Sequence, residues 1–134
     1  MQGARARCGM GSLPAALKAY GAADRFGAYL LPPIATLHSR IADYLAEALV
    51  AHQEGDSGAL RRAVGRSSVL LGALRRSVVP GGQLAEELTR TYDYLLSCLR
   101  VAISRGTSDR IAIAYLTMRS LSKAWDARLN RERA

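Results

Sequence analysis

Apolar and polar residues alternate along most of this chain with the period of amphipathic helices. Four stretches with this period predict helices over about residues 33–53, 57–79, 83–105 and 108–129. The residues of the four predicted inner faces are, helix by helix, Ile34, Leu37, Ile41, Tyr44, Leu45, Ala48 and His52; Leu60, Val64, Leu71, Leu74 and Val78; Leu84, Leu88, Tyr92, Leu95, Leu99, Ala102 and Ile103; and Ile111, Ala114, Met118, Leu121, Ser122, Trp125 and Leu129.

Helix-breaking residues separate these stretches, and polar residues that cap helices follow two of the three breaks. The breaks are Gly55, Pro80-Gly81-Gly82 and Gly106, and the candidate caps are Asp56 or Ser57 and Thr107 or Ser108. Four helices of about 20 residues with short connections predict an all-α fold, the antiparallel up-down four-helix bundle.

The chain before the first long helix divides into three parts. Residues 1–12 are rich in glycine and poor in apolar groups, which predicts a disordered tail. Leu13 to Tyr20 predict a short helix that starts from Ser12, and the following segment up to residue 31 predicts a cap that lies against the bundle. Pro32-Pro33 predicts an extended connection, because proline disfavours helical geometry in the residue before it.

The composition agrees with one helical domain. A chain of 134 residues is long enough for a single core, and its apolar residues are mostly aliphatic, with only six Tyr, one Phe and one Trp. The charged residues 130–134 predict a frayed C-terminal tail. The bundle domain is therefore predicted to span residues 13–129.

Three glycines recur seven residues apart in the second helix, at Gly58, Gly65 and Gly72. Each interior glycine costs about 1 kcal/mol relative to alanine. One interpretation is that tertiary packing tolerates them. The other is that they form a smooth stripe against which another helix approaches closely. The pattern favours neither.

The sequence predicts a cytoplasmic protein without membrane insertion. No apolar run approaches the roughly 18 residues of a membrane span, and no signal-peptide stretch follows Arg5 and Arg7. Cys8 and Cys98 lack the spacing of a disulfide framework or a metal site, and Cys98 is predicted to be a small core residue.

The net charge is +8, and arginine supplies most of the basic side chains. A basic surface attracts nucleic acid, anionic lipid or an acidic protein partner. Here the charge is spread over several segments without interleaved aromatic residues. We therefore do not expect nucleic-acid binding, although a basic helical-bundle regulator that binds nucleic acid or an anionic surface is kept as the alternative function.

The motifs of catalysis and cofactor binding are missing from the sequence. There is no phosphate-binding glycine loop, no nucleophile motif and no clustered pair of acids in an apolar setting. His38 and His52 do not stand in a metal-binding arrangement, so a capping or core-edge position is expected for both. We predict no catalytic, cofactor or metal site, and a binding protein rather than an enzyme.

The third and fourth helices carry apolar residues that their inner faces do not need. Around the axis of the third helix, Tyr94 and Val101 lie far from its inner face. Ile113 and Leu116 lie similarly far from the inner face of the fourth helix. One interpretation is a groove for the amphipathic helix of a partner; the others are scattered surface residues or coverage by the N-terminal segment. The candidate partner-binding residues are Tyr94, Val101, Ile113, Leu116, Ser120 and Tyr20.

A series of motif residues runs through the second half of the chain. A Gly-Gly pair precedes an acidic stretch with leucine, a Tyr-x-Tyr pair and a glycine turn follow, and Ala-Trp closes the last helix. The residues are Gly81, Gly82, Glu86, Glu87, Leu88, Tyr92, Asp93, Tyr94, Gly106, Ala124 and Trp125. This series resembles the flagellar secretion chaperone family FliS. Ala19-Tyr20 and Pro33 match weaker upstream features, so the resemblance covers about residues 19–127.

The resemblance implies a cytoplasmic four-helix export chaperone without a cofactor. It would bind the C-terminal segment of flagellin, prevent premature polymerisation and assist delivery to the flagellar type III export apparatus, whose gate components are further expected partners. Two features depart from the family. Leu37-His38-Ser39-Arg40-Ile41 stands where members carry Leu-Tyr-Asp-Gly-Ala, and members are commonly acidic. A paralogue that chaperones another client is therefore a further alternative.

Overall fold

The computed structural model describes the backbone from Gly27 to Arg133 and the side chains of residues 33–127 and 130. This part of the chain forms four helices. They are α1 (Gly27–Gln53), α2 (Ser57–Ser77), α3 (Gln83–Arg105) and α4 (Asp109–Arg133). α1 and α3 each pack against both α2 and α4, which closes an up-down four-helix bundle. The predicted all-α bundle is confirmed.

The predicted breaks lie between the helices, and each contains a glycine with positive φ. Gly55 and Gly106 have φ values of 71° and 68°, in the left-handed region that favours glycine. The Gly106 N–H donates to the Ala102 carbonyl at 2.8 Å and ends α3. At the start of α2, Asp56 Oδ1 accepts the Ala59 N–H at 3.0 Å, which confirms the predicted cap.

The first and last helix boundaries differ from the prediction. α1 begins at Gly27, so Pro32-Pro33 lies inside it and the predicted extended connection is wrong. Proline has a φ of about −65°, which a helix accepts. Its cost inside a helix is a missing N–H donor and a steric clash with the preceding turn, which disfavour a helix without excluding it. α4 continues to Arg133, so the tail predicted to fray at residues 130–134 is helical as far as it is described. No glycine or proline stands there to end it.

Several predictions fall outside the described residues. They are the disordered tail at residues 1–12, the short helix from Leu13 to Tyr20, the partner-binding role of Tyr20 and the inner-face position of the Leu129 side chain. The segment predicted to cap the bundle lies outside up to residue 26, and its remainder belongs to α1.

The core draws on all four helices and is mainly aliphatic, with Tyr92 and Trp125 as its largest fully buried side chains. Most residues of the predicted inner faces are buried, and Leu37, Tyr44, His52, Leu60, Leu84 and Ile103 are half-buried at its border. Cys98 is buried with a free thiol, as predicted. His38 is fully buried rather than at the core edge, and that expectation is corrected.

The glycine stripe of α2 faces away from the other described helices. A Cβ at Gly65 would meet nothing within 4 Å, and one at Gly58 or Gly72 would meet only side chains from the same stretch of chain. Within the described structure, no helix uses the stripe for close approach. The interpretation as an internal packing stripe is therefore not supported.

Candidate functional site

The outer surface of α3 and α4 carries apolar side chains that take no part in the core. Tyr94 is 47% exposed, Ile113 is 39% exposed and Leu116 is 62% exposed. The buried cluster is complete without them. We call the set Tyr94, Val101, Ile113, Leu116 and Ser120 the α3–α4 surface.

Tyr94 lies where α3 meets α4. Its hydroxyl is close to the Cys98 thiol one turn further along α3, and this contact raises the pKa of Tyr94. Arg110, from the first turn of α4, lies near the same hydroxyl, and its positive charge partly offsets this increase in the pKa of Tyr94. The phenol ring is therefore presented beside the seam between the two helices, with a positive charge nearby.

Of the other predicted residues, Val101 differs in position, because it lies towards α2. Since α3 and α4 run antiparallel from the turn at Gly106, Val101 and Ile113 lie at similar heights, as do Tyr94 and Ser120. Ser120 is exposed, whereas Val101 is half-buried and lines a groove shared with α2. The structure thus leaves Val101 at the border of this surface rather than inside one continuous groove.

A polar contact crosses the interior behind this surface. His38 of α1 contacts the Ile34 carbonyl through Nδ1 and the Tyr92 hydroxyl of α3 through Nε2, each at 2.8 Å. Its ring also lies 5.8 Å from the ring of Trp125 in α4. Burial lowers the pKa of His38 to about 4, and the bond to Ile34 opposes this change.

The tautomer of His38 follows from these partners. A carbonyl oxygen only accepts hydrogen bonds, so Nδ1 carries the proton and donates to Ile34. Nε2 of the neutral ring is then an acceptor, and the Tyr92 hydroxyl donates to it. This arrangement fixes the ring inside the core and leaves no lone pair directed at a metal or a substrate.

A second surface, which the sequence pattern did not predict, lies on the exposed side of α2. Two open grooves of about 530 and 620 Å³ flank this helix, one towards α1 and one towards α3. The arginines that line them are Arg40 from α1, Arg61, Arg62 and Arg66 from α2, and Arg100 from α3. The charge of α2 was visible in the sequence. The contributions of α1 and α3 were not, because helical periodicity does not orient one helix against another.

Neither a metal site nor a membrane span was found in residues 27–133. No three side chains of His, Cys, Asp or Glu are grouped so that they would hold a metal ion. None of the four helices combines the length and the apolar character that a membrane crossing requires.

Comparisons of the chain with models of protein families, with curated proteins and with solved structures found no match.

Proposed function

We propose that this protein binds an amphipathic helical segment of another protein on the α3–α4 surface and acts as a cytoplasmic export chaperone. The client that the resemblance favours is the C-terminal segment of flagellin. The observation that carries the proposal is the exposure of Tyr94, Ile113 and Leu116 on two consecutive helices whose core is complete without them. Exposed apolar residues grouped in this way favour a protein partner over a small ligand.

The strength of such binding suits a chaperone. Burying a leucine-sized side chain contributes about 1.5–3 kcal/mol, and association and ordering costs offset much of the sum. Three such side chains are therefore compatible with a reversible complex. The client would have its apolar stripe covered while it is bound, and displacement at the export apparatus would release it for assembly.

The residues that carry the resemblance divide into two groups. Leu88, Tyr92 and Trp125 are buried, and Gly106 ends a helix, so these residues maintain the bundle. Tyr94 is the aromatic residue of the series that is exposed to a client. The motif thus supports the proposal chiefly by fixing the frame on which the α3–α4 surface is displayed.

The alternative function, a regulator that binds nucleic acid or an anionic surface, is favoured by α2. This helix contains five arginines and no acidic residue. Phosphate binding through arginine releases counterions and weakens steeply with salt, whereas apolar burial does not. A paralogue with another client would keep the salt-insensitive behaviour and bind a different segment.

The test is a titration of the purified protein with a flagellin C-terminal peptide and, separately, with duplex DNA, each at low and high salt. We expect peptide binding that changes little with salt and is lost in Leu116→Asp. Val69→Asp is the matched control, because Val69 is also exposed but lies on α2. Tight DNA binding without peptide binding would reject the chaperone function in favour of the alternative.

A further inference from the structure

The two grooves beside α2 form one arginine-rich surface. We call it the arginine face and define it by Arg40, Arg61, Arg62, Arg66 and Arg100 around Gly65, which borders both grooves. All five arginines are exposed, and none forms an ion pair with a described carboxylate. No acidic residue lines either groove. The charge of this face is therefore available to a partner.

The arginine face is also apolar between its charges. Val69 is 68% exposed in the groove towards α1, where Tyr44 and Leu70 line the wall. The Arg66 guanidinium lies over the Tyr44 ring, 5.8 Å from its centroid, which holds that charge against the apolar wall. A ligand that fits this groove needs apolar groups as well as negative charge.

The groove towards α3 has the same mixed character. It is lined by Val64, Leu99, Val101 and Ile103 together with Arg61 and Arg100. Aliphatic side chains offer no stacking surface for bases, in contrast to the aromatic platforms that bind single-stranded nucleic acid. This lining favours aliphatic side chains of a protein over a nucleic acid.

Gly65 opens the crest between the two grooves. Apart from the adjoining residues and backbone of α2 itself, no described atom lies within 4 Å of the position that a Cβ at Gly65 would occupy. A partner backbone can therefore approach α2 closely there, while its side chains enter the grooves on both sides. A helix with acidic residues beside an apolar stripe has the shape and the charge that this surface requires.

Charge disfavours two other occupants. The N-terminal segment of this chain up to residue 26 contains Arg5, Arg7, Lys18 and Arg25 against Asp24, so it is basic as well. A second copy of the chain carries a net charge of +8 and is repelled at long range. An acidic segment of a different protein is attracted.

We propose that the arginine face docks an acidic amphipathic helical segment of a partner protein. This docking site is separate from the exposed apolar residues Tyr94, Ile113 and Leu116, and it does not depend on the proposed function. The acidic residues of the segment pair with the arginines, and its apolar stripe fills the grooves on either side of Gly65.

The test uses synthetic peptides, because no natural partner is identified. The probe is a helical peptide of about 18 residues, long enough for five turns, with glutamate beside a leucine stripe. The matched peptides have glutamine for glutamate or the same residues in scrambled order. Binding is measured by fluorescence anisotropy, with a short DNA duplex as a further probe.

Two test variants alter the arginine face without changing a core residue, and each has a matched control variant. Arg62→Glu/Arg66→Glu reverses charge in the face, and Arg76→Glu/Arg119→Glu is its control with the same change in net charge at exposed positions outside it. Gly65→Leu fills the open crest, and Gly72→Leu is its control one repeat away, where only the mobile end of Arg76 is near. We expect losses of roughly tenfold or more in peptide affinity for the two test variants and less than about twofold for the controls.

Each contrary outcome is distinct. Equal binding of the scrambled peptide would show a nonspecific charge effect and overturn the proposal, as would unchanged affinity in Gly65→Leu. Tighter binding of DNA than of the peptide, lost in Arg62→Glu/Arg66→Glu, would assign the face to nucleic acid instead. A dimer in sedimentation that the same variant dissociates would assign it to a second copy. Leu116→Asp should leave peptide affinity unchanged, which separates this test from that of the chaperone function.

Discussion

His38 Nε2 and the Tyr92 hydroxyl meet at 2.8 Å in the bundle core, although their helices, α1 and α3, are diagonal partners rather than neighbours. The bond therefore joins two helices that lie diagonally opposite each other in the bundle. Both ring nitrogens of the buried His38 therefore have hydrogen-bond partners within the bundle.

The stability of the bundle should depend on pH through His38. Its pKa is lowered to about 4 in the folded state from 6.5, so the unfolded chain takes up a proton first as the pH falls. The contribution of the neutral ring is complete above pH 6.5 and is lost as the pH falls from 6.5 to 4. The shift corresponds to about 3 kcal/mol of unfolding free energy.

This pH dependence is measured by urea unfolding at a series of pH values. Since carboxylates also titrate at low pH, the informative quantity is the difference between the wild-type protein and His38→Gln. We expect a smaller decrease in the variant between pH 6.5 and 4.5. Equal slopes in wild type and His38→Gln would mean that His38 does not titrate in this way.

Tyr92→Phe should destabilise the bundle by about 1–3 kcal/mol, because it leaves the buried Nε2 of His38 without its hydroxyl donor. The ring volume is retained, so the loss reports the interactions of the hydroxyl rather than a cavity. Tyr115→Phe is the control, because that hydroxyl accepts from Arg119 at an exposed position. Thermal unfolding of both variants at pH 7 compares them. Equal shifts would show that the contact across the core has no special weight.

The α3–α4 surface should be dispensable for folding. Leu116→Ala is expected to change the unfolding free energy by less than about 0.5 kcal/mol, because the side chain is 62% exposed. Leu121→Ala on the same helix should cost about 2–5 kcal/mol, because Leu121 is buried. Chemical denaturation measures both. A large loss in Leu116→Ala would place that residue in the fold rather than in a binding surface.

Two glycines should respond in opposite directions to alanine. Gly65→Ala should stabilise the protein by up to about 1 kcal/mol, since the site is helical, exposed and open. Gly106→Ala should destabilise it by about 1–2 kcal/mol, since φ is 68° there. Thermal unfolding of the two variants decides. A loss in Gly65→Ala would indicate a contact that this glycine makes possible.

Local signals in the sequence were sufficient for the helices and their connections. Glycine adopts the left-handed conformation that ends a helix, and Gly55 and Gly106 do so. The periodic Leu, Ile and Ala residues identify the inner faces. The start of α1 differs from the prediction because Pro32-Pro33 indicates an extended connection, whereas the fixed φ of proline is also compatible with a helix.

The surfaces were harder to predict, because they depend on how the helices are oriented around the bundle. Arg40 and Arg100 join the arginines of α2 only once α1 and α3 are placed beside it. Val101 was predicted with Ile113 but lines the groove towards α2. His38 lies between Ile34 and Ile41 on the buried side of α1, yet its residue type suggested an edge position.

The most direct test of the proposed function compares two double variants in isothermal titration with the flagellin C-terminal peptide. Ile113→Asp/Leu116→Asp alters the α3–α4 surface, and Arg62→Glu/Arg66→Glu alters the other face of the bundle. We expect the first variant to lose peptide binding and the second to retain the wild-type affinity. Unchanged affinity in Ile113→Asp/Leu116→Asp, or no binding by the wild-type protein, would contradict a client site on α3 and α4.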